Sequence, residues 1–428
     1  MASAALRTAA RAAAQLAAPT AGSALAASQR SGCNARDDGS AHDTAEPAQL
    51  LSHPASYVCG GEHSLAVSRK GQCFSAGACG LGWSRLKDIT PELFVWRRAH
   101  TGERTASVTG GYYHSVAIGS SGDVYAWGCG AFTDGNNDGV IPALGQPNSL
   151  EETLEPAKVA LPDRAAAAAA GAYHSVVLTE DGAVYTFGAA QLGQLGRRTT
   201  KATDSAGLPV DARPRPVEGL PGPALGVGAA FYSTFARCRD GVYATGENQY
   251  QQLGAGPKNI RTMTRIAELD GESIAEVTGG YCHTLCRTID GRVLSLGAGD
   301  DGQRGDGLTE GNTVVSLVKI PVGAIPVAAG ANHSLALGLD GNAYAWGSNE
   351  HGELGLGDDV DGAATPVRVP RPSDGVAYTA VSAGYAHSVL TDARGRAWAF
   401  GLGDSGQLAR GDDGDASTPV QCLSVEAP

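Results

Sequence analysis

The sequence predicts an all-β chain: a seven-bladed β-propeller with four-stranded antiparallel blades. Three observations predict it. A unit recurs seven times in register, each unit holds two short apolar segments joined by a glycine turn, and the two chain ends complement one another. Self-similarity of this kind outranks local propensity when a chain is read.

The units are anchored at His63, His114, His174, Ser233, His283, His333 and His387, with separations of 51, 60, 59, 50, 50 and 54 residues. Around the anchors the chain reads GGEHSLAV, GGYYHSVAI, AGAYHSVVL, GAAFYSTFA, GGYCHTLCR, AGANHSLAL and AGYAHSVL. A second segment follows each one, such as DGAVYTFG after His174 and DGNAYAWG after His333. Alternating apolar segments joined by Asp-Gly are a hairpin signal. The pairs Asp181-Gly182, Asp240-Gly241, Asp290-Gly291 and Asp340-Gly341 fit it, since glycine supplies the positive φ of a tight turn. The chain then re-enters through segments such as Thr365-Pro366-Val367 and Thr418-Pro419-Val420.

Ala165–Ala170 tests the reading. Six alanines favour helix on propensity alone. Aligned on the anchors, however, they occupy the place of Val327-Ala328-Ala329, so a strand is expected.

No hairpin alone buries both of its faces, whereas units packed around a centre do. The last unit stops after STPVQCLSV, and the first begins with ASYVCGG. The expectation is a closed ring in which the N-terminal strand near Tyr57 completes the last blade, which also removes exposed edges. The domain plan is a targeting segment over 1–30, a linker over 31–54 and the propeller over 55–428.

Composition narrows the function. The net charge of −12 disfavours a broad phosphate-binding surface. Protein partners within a larger complex are therefore expected, and direct nucleic-acid binding is left only to local basic loops. No run of eighteen apolar residues predicts a membrane span. The nine cysteines lack short-range pairing and read as buried thiols of a reducing compartment. Residues 1–30 carry Arg7, Arg11 and Arg30 and no acid. They read as a mitochondrial matrix targeting segment, with chloroplast or cytoplasm as alternatives.

The seven units resemble the regulator of chromosome condensation repeat family over Ala55 to Val425, best at AAGANHSLALGLDGNAYAWGSNEHGELGLGD. The resemblance implies a seven-bladed propeller with four short antiparallel strands per blade. It also implies, as an alternative function, guanine nucleotide exchange on a small GTPase. A plant ultraviolet-B photoreceptor in the same family would require a tryptophan-rich surface. Here Trp127, Trp346 and Trp398 sit at a repeated strand position instead, and no Gly-Trp-Arg-His-Thr motif occurs.

The repeated histidines read as structural anchors, because one polar group at the same place in successive units is most simply satisfied by backbone hydrogen bonds. No phosphate-binding loop or GxSxG elbow occurs, and no catalytic residue, cofactor or metal is assigned. Cys282 and Cys286 read as buried thiols rather than zinc ligands. Acidic clusters at Asp300, Asp301 and Asp306, at Asp358, Asp359 and Asp361, and at Asp412, Asp413 and Asp415 are expected on related loops of one rim. Interface candidates come from the enlarged connections, where a rigid body positions variable loops. They are Trp83, Arg85, Trp96, Arg97 and Arg98 in unit one, and Arg197, Arg198, Arg213 and Arg215 after unit three. Aromatics and arginine dominate interface hot spots. The resulting expectation is a non-catalytic protein–protein interaction scaffold, a subunit or assembly factor of a mitochondrial complex.

Overall fold

Each anchor residue opens the second strand of a four-stranded antiparallel sheet, and seven such sheets follow one another along the chain. The computed structural model describes residues 56–78, 94–129, 131–133, 138–140, 144–145, 152–199, 210–309 and 312–425. Segments 1–30 and 31–54 of the domain plan lie outside the described residues.

The first strands are Ser56–Cys59, Thr105–Gly110, Ala165–Ala170, Ala224–Ala230, Ile274–Gly279, Ala324–Ala329 and Tyr378–Ala383. Neighbouring first strands touch one another, so they surround a common axis. Ala165–Ala170 is one of them, with Ala170 opposite Ser175 in the ladder. Small side chains suit a strand crowded against its neighbours, and tertiary packing overrides helix propensity.

The second strands, such as His333–Gly338, are buried along their whole length because a blade covers each face. Blade packing is apolar: Leu285, Val293 and Val318 of blade five lie with Val327, Ala336 and Trp346 of blade six. Burying one such side chain stabilises by about 1.5–3 kcal/mol, so the surfaces between blades hold the fold rather than the hairpins alone. Outer strands are more exposed, as in Gly362–Arg368. Blade two carries an added hairpin, Ala131–Thr133 with Asp138–Val140, inside its enlarged connection.

Ring closure differs from the expectation. Ser56–Cys59 pairs with His63–Val67 of its own blade, and Ala416–Gln421 pairs with Ala397–Gly401. Blade seven is complete in itself, so no strand is exchanged. Each first strand, such as Ala324–Ala329, pairs with the histidine strand that follows it, across a loop of three residues in blade six (Gly330 to Asn332), and the complementary ends reflect that phase. The two ends still meet. Tyr57 and Cys59 share a core with Tyr378, Val381 and Phe400, and the Cys59 amide donates to Ser382 Oγ at 2.9 Å. Trp96 seals the seam outside, its ring 5.8 Å from that of Tyr57 and its Nε1 donating to the Leu423 carbonyl at 2.8 Å.

Candidate functional site

Each anchor histidine reaches into the next blade. Nε2 lies 2.9 Å from Ser115 Oγ for His63, 2.8 Å from Ser175 for His114 and 2.9 Å from Thr234 Oγ1 for His174. The corresponding distances are 2.9 Å from His283 to Ser334, 3.0 Å from His333 to Ser388 and 3.2 Å from His387 to Ser64, which joins the last blade to the first. The hydroxyl then donates to a backbone carbonyl of the histidine's own blade: Ser388 to Glu353, Ser334 to Gln303 and Ser64 to Gln407, at 2.7–2.8 Å. A hydroxyl has one proton, so where it donates to the carbonyl it must accept from the imidazole. That fixes the Nε2–H tautomer at these sites. The six histidines are buried and bridge neighbouring blades, and their partners are side chains of the next blade rather than the expected backbone groups. Burial pushes His63, His174, His283, His333 and His387 down to about 3 and His114 to about 4, so all six are neutral at physiological pH.

The spoke is missing between blades four and five. Ser233 donates instead to the Glu247 carbonyl of its own blade at 3.0 Å. A glycine precedes each of the six histidines by three residues, and a Cβ on Gly330 would lie 2.1 Å from His333 Cε1. Ala230 holds that place before Ser233. Its methyl and the ring of Phe235 fill the space beside Gly279 of blade five, so apolar packing replaces the hydrogen bond.

Because the strands of a blade are antiparallel, the loops between strands one and two and between strands three and four emerge at the same end; His333 opposite Gly347 shows this. At that end the first loops form a continuous ring of backbone hydrogen bonds. It runs from Gly61 to Gly111 at 2.9 Å, through blades two to six, and returns from Tyr385 to Gly61 at 3.3 Å. This ring, with the histidine spokes, closes the propeller.

Aromatic rings from these loops cross the axis. Tyr112 lies 6.2 Å from Tyr385 and 6.3 Å from Phe231, Phe231 lies 4.9 Å from Tyr281, and Tyr173 stacks on Tyr232 at 5.9 Å. Tyr232, Tyr281 and Tyr385 remain half-exposed. Carboxylates surround them. Glu62 accepts from the Tyr112 hydroxyl at 2.6 Å, and burial pushes it and Glu247 upward. Desolvation followed by the charges of Glu350, Asp300 and Glu353 raises Asp301. Asp404 stands beside Glu62. None of these seven carboxylates forms an ion pair among the described residues. The aspartate clusters predicted for one rim lie on the strand three–four connections of blades five, six and seven, at this same end. Two of their members form ion pairs among the described residues, Asp306 with buried Arg304 at 2.7 Å and Asp412 with Arg410, and Asp415 accepts from the Gly403 amide at 2.8 Å.

The family profile for the RCC1-like domain matches residues 32–389. The chain belongs to the RCC1-like domain family. It is 32% identical to the ultraviolet-B receptor UVR8 of Arabidopsis thaliana, covering 76% of this chain and 72% of that one. It is 31% identical to the regulator of chromosome condensation of Mus musculus, covering 80% and 83%. Among solved structures, human WBSCR16 superposes with a TM-score of 0.68 at 19% identity, covering 87% and 94%. Prp20p of Saccharomyces cerevisiae, described with its binding to Gsp1p and histones, superposes with a TM-score of 0.68 at 21% identity, covering 88% and 87%. The structural likenesses show the fold.

In this RCC1-like chain the sequence-predicted interface residues scatter. Trp83 and Arg85 lie outside the described residues. Trp96 is committed to the blade one–seven seam, while Arg97 and Arg98 are exposed on the short outer strand beside it. Arg197 corrects the expectation outright: it is 6% exposed, pairs with buried Asp211 at 3.1 Å and donates to Leu195 and Thr186 inside blade three. Arg198, Arg213 and Arg215 are exposed, Arg215 lying 3.4 Å from Asp211. Cys282 and Cys286 are buried thiols, raised by desolvation, Cys286 to about 12. The tyrosines were missed although their signal was visible: an aromatic stands one or two residues before the anchor in blades two, three, four, five and seven.

Proposed function

We propose that the protein is a non-catalytic interaction scaffold whose acidic, tyrosine-lined face docks a basic segment of a protein partner. The carrying observation is the gathering of seven carboxylates, unpaired among the described residues, around half-exposed tyrosines at the centre of a rigid ring. Cations bind aromatic faces by cation–π attraction and carboxylates by charge-assisted hydrogen bonds, most strongly where water is partly excluded. The same charge steers a basic partner during encounter.

The test is affinity purification of the wild type and of a variant with Asp300→Asn, Asp301→Asn, Glu350→Gln and Asp404→Asn, followed by zero-length carboxylate-to-lysine crosslinking. The reading expects a partner that crosslinks to these loops, elutes with salt and is lost from the variant. Equal retention by both proteins overturns it.

Similarity to the regulator of chromosome condensation of Mus musculus supports a second reading, guanine nucleotide exchange on a small GTPase. Release of labelled GDP from a candidate GTPase tests it; no acceleration at micromolar protein counts against exchange. Residues 1–30 support delivery to the mitochondrial matrix, with a role in a complex there. A wholly cytosolic distribution of the tagged full chain overturns that placement.

A further inference from the structure

We propose that Glu247 and the tyrosines around it form a pocket for one lysine side chain, the anchor of the basic segment that docks on this face. The pocket rests on the docking reading and gives it a single decisive contact. It opens at the first-loop end, away from the turn end where strands two and three join. The repeat isolates the carboxylate. A glycine recurs near the end of strand three in every blade, and the residue after it is Ala78, Cys129, Ala189, Ala298, Ser348 or Leu402 in six of them. Blade four alone puts a carboxylate there. The backbone frame is the same: the Glu247 amide donates to the Tyr232 carbonyl at 3.0 Å, as Ala189 does to Tyr173 and Ala298 to Cys282, both at 2.8 Å. Blade four is also the blade without a spoke, where Ser233 donates to the Glu247 carbonyl instead.

The surroundings suit a cation. Glu247 is 7% exposed, and no guanidinium or ammonium group acts on it among the described residues. Its Oε1 accepts from Gln249 Nε2 at 3.1 Å, which leaves the other oxygen for a ligand. Buried Phe231 makes the floor, with the Tyr232 ring 4.4 Å and the Tyr281 ring 4.9 Å away, both set edge to face against it. Desolvation, reinforced by the Glu247 charge, raises the hydroxyls of Tyr232 and Tyr281, so both stand beside that carboxylate. Cys282 first, then burial and the charges of Glu247 and Asp300, raise exposed Tyr250 at the rim. None of these three hydroxyls has a hydrogen-bond partner among the described residues.

The acceptors choose lysine. An ammonium head is compact and carries three donors, which the open carboxylate oxygen and the tyrosine hydroxyls can accept. Ring faces beside it add cation–π attraction, stronger where water is partly excluded. A guanidinium pairs best with both oxygens of a carboxylate, and here Gln249 holds one of them. A trimethylated head has no N–H and would leave every one of these acceptors unmet.

The test uses the full chain and a fluorescein-labelled fifteen-residue peptide in which lysines alternate with glycine and serine. Twin peptides carry arginine or trimethyllysine at every lysine position. The expected result is saturable binding, tightest for the lysine peptide and weakened at least about tenfold by Glu247→Gln, which also erases the preference over the twins. Tyr281→Phe keeps the ring and removes the hydroxyl, so it weakens lysine binding by less. Thermal unfolding of Glu247→Gln at or above that of the wild type separates lost binding from lost folding, since the substitution removes a buried charge. The variant with Asp300→Asn, Asp301→Asn, Glu350→Gln and Asp404→Asn should weaken all three peptides alike, through the general charge of the face. Loss of binding in that variant with full binding by Glu247→Gln overturns the pocket and leaves the docking face standing. Equal binding of the lysine and arginine peptides also overturns the pocket, and absence of saturable binding by the wild type overturns both.

Discussion

His387 Nε2 lies 3.2 Å from Ser64 Oγ, so the last blade grips the first through the same contact that joins blades one to two, two to three, three to four, five to six and six to seven. The junction of the chain ends is therefore an ordinary seam. Removing the imidazole leaves a cavity and a hydroxyl without its donor. His387→Ala should destabilise by about 2–4 kcal/mol. The measurement is urea unfolding, and a change below about 0.5 kcal/mol, the range of ordinary surface substitutions, contradicts the spoke.

Ala230 and Ser233 should behave as one unit. Ser233→His alone drives an imidazole into the Ala230 methyl, which sits where a Cβ would fall about 2 Å from the ring in the other blades. Ala230→Gly with Ser233→His restores the pattern of the sister blades. A double-mutant cycle is expected to show favourable coupling of about 1–3 kcal/mol. Additive single effects would refute the exchange.

Arg304 replaces the core leucine that the repeat supplies at Leu195, Leu253, Leu354 and Leu408, and it is fully buried with Asp306. Arg304→Ala leaves that carboxylate without its cation and should cost about 3–5 kcal/mol. Arg304→Leu combined with Asp306→Asn should recover most of the loss, because the site then carries the leucine of its sisters and no buried charge. Thermal unfolding of the three proteins distinguishes these outcomes.

Acid should loosen the ring. The unfolded histidines take up protons near 6.5 and the folded ones only near 3 to 4, so between these values the unfolded chain binds more protons. Their contribution is complete above pH 6.5 and is lost as pH falls, by about 2 kcal/mol per histidine at pH 5. Glu276, raised to about 7 by burial beside Arg287, works the other way, because its folded form holds the proton that the unfolded form releases. Glu62, Glu247 and Asp301 shift in the same direction as Glu276. With six histidines on the losing side, the unfolding midpoint in urea should drop from pH 7 to pH 5. A midpoint that rises would contradict the neutral spokes.

Much of the fold was legible in the sequence because repetition averages out local noise. Six alanines read as a strand only because Val327-Ala328-Ala329 holds the same place. The closing of the ring was misread for a related reason: a repeat fixes the order of strands but not the point at which one unit ends, and only pairing assigns Ser56–Cys59 to His63–Val67. Arg197 misled because a basic loop reads as surface, whereas Asp211, fourteen residues on, draws the guanidinium inside. The spokes left a trace that could have been followed. Serine or threonine comes directly after every anchor, and the glycine three residues before it changes to alanine only where histidine changes to serine.

Hydrogen exchange of the full chain, alone and with the partner recovered by affinity purification, tests the docking of a basic partner most directly. The account predicts slowed exchange in the first loops and in the strand three–four connections of blades five to seven, around Asp301, Glu350 and Asp404, reversed by salt. Protection confined to the turn end, or unchanged by salt, would contradict it.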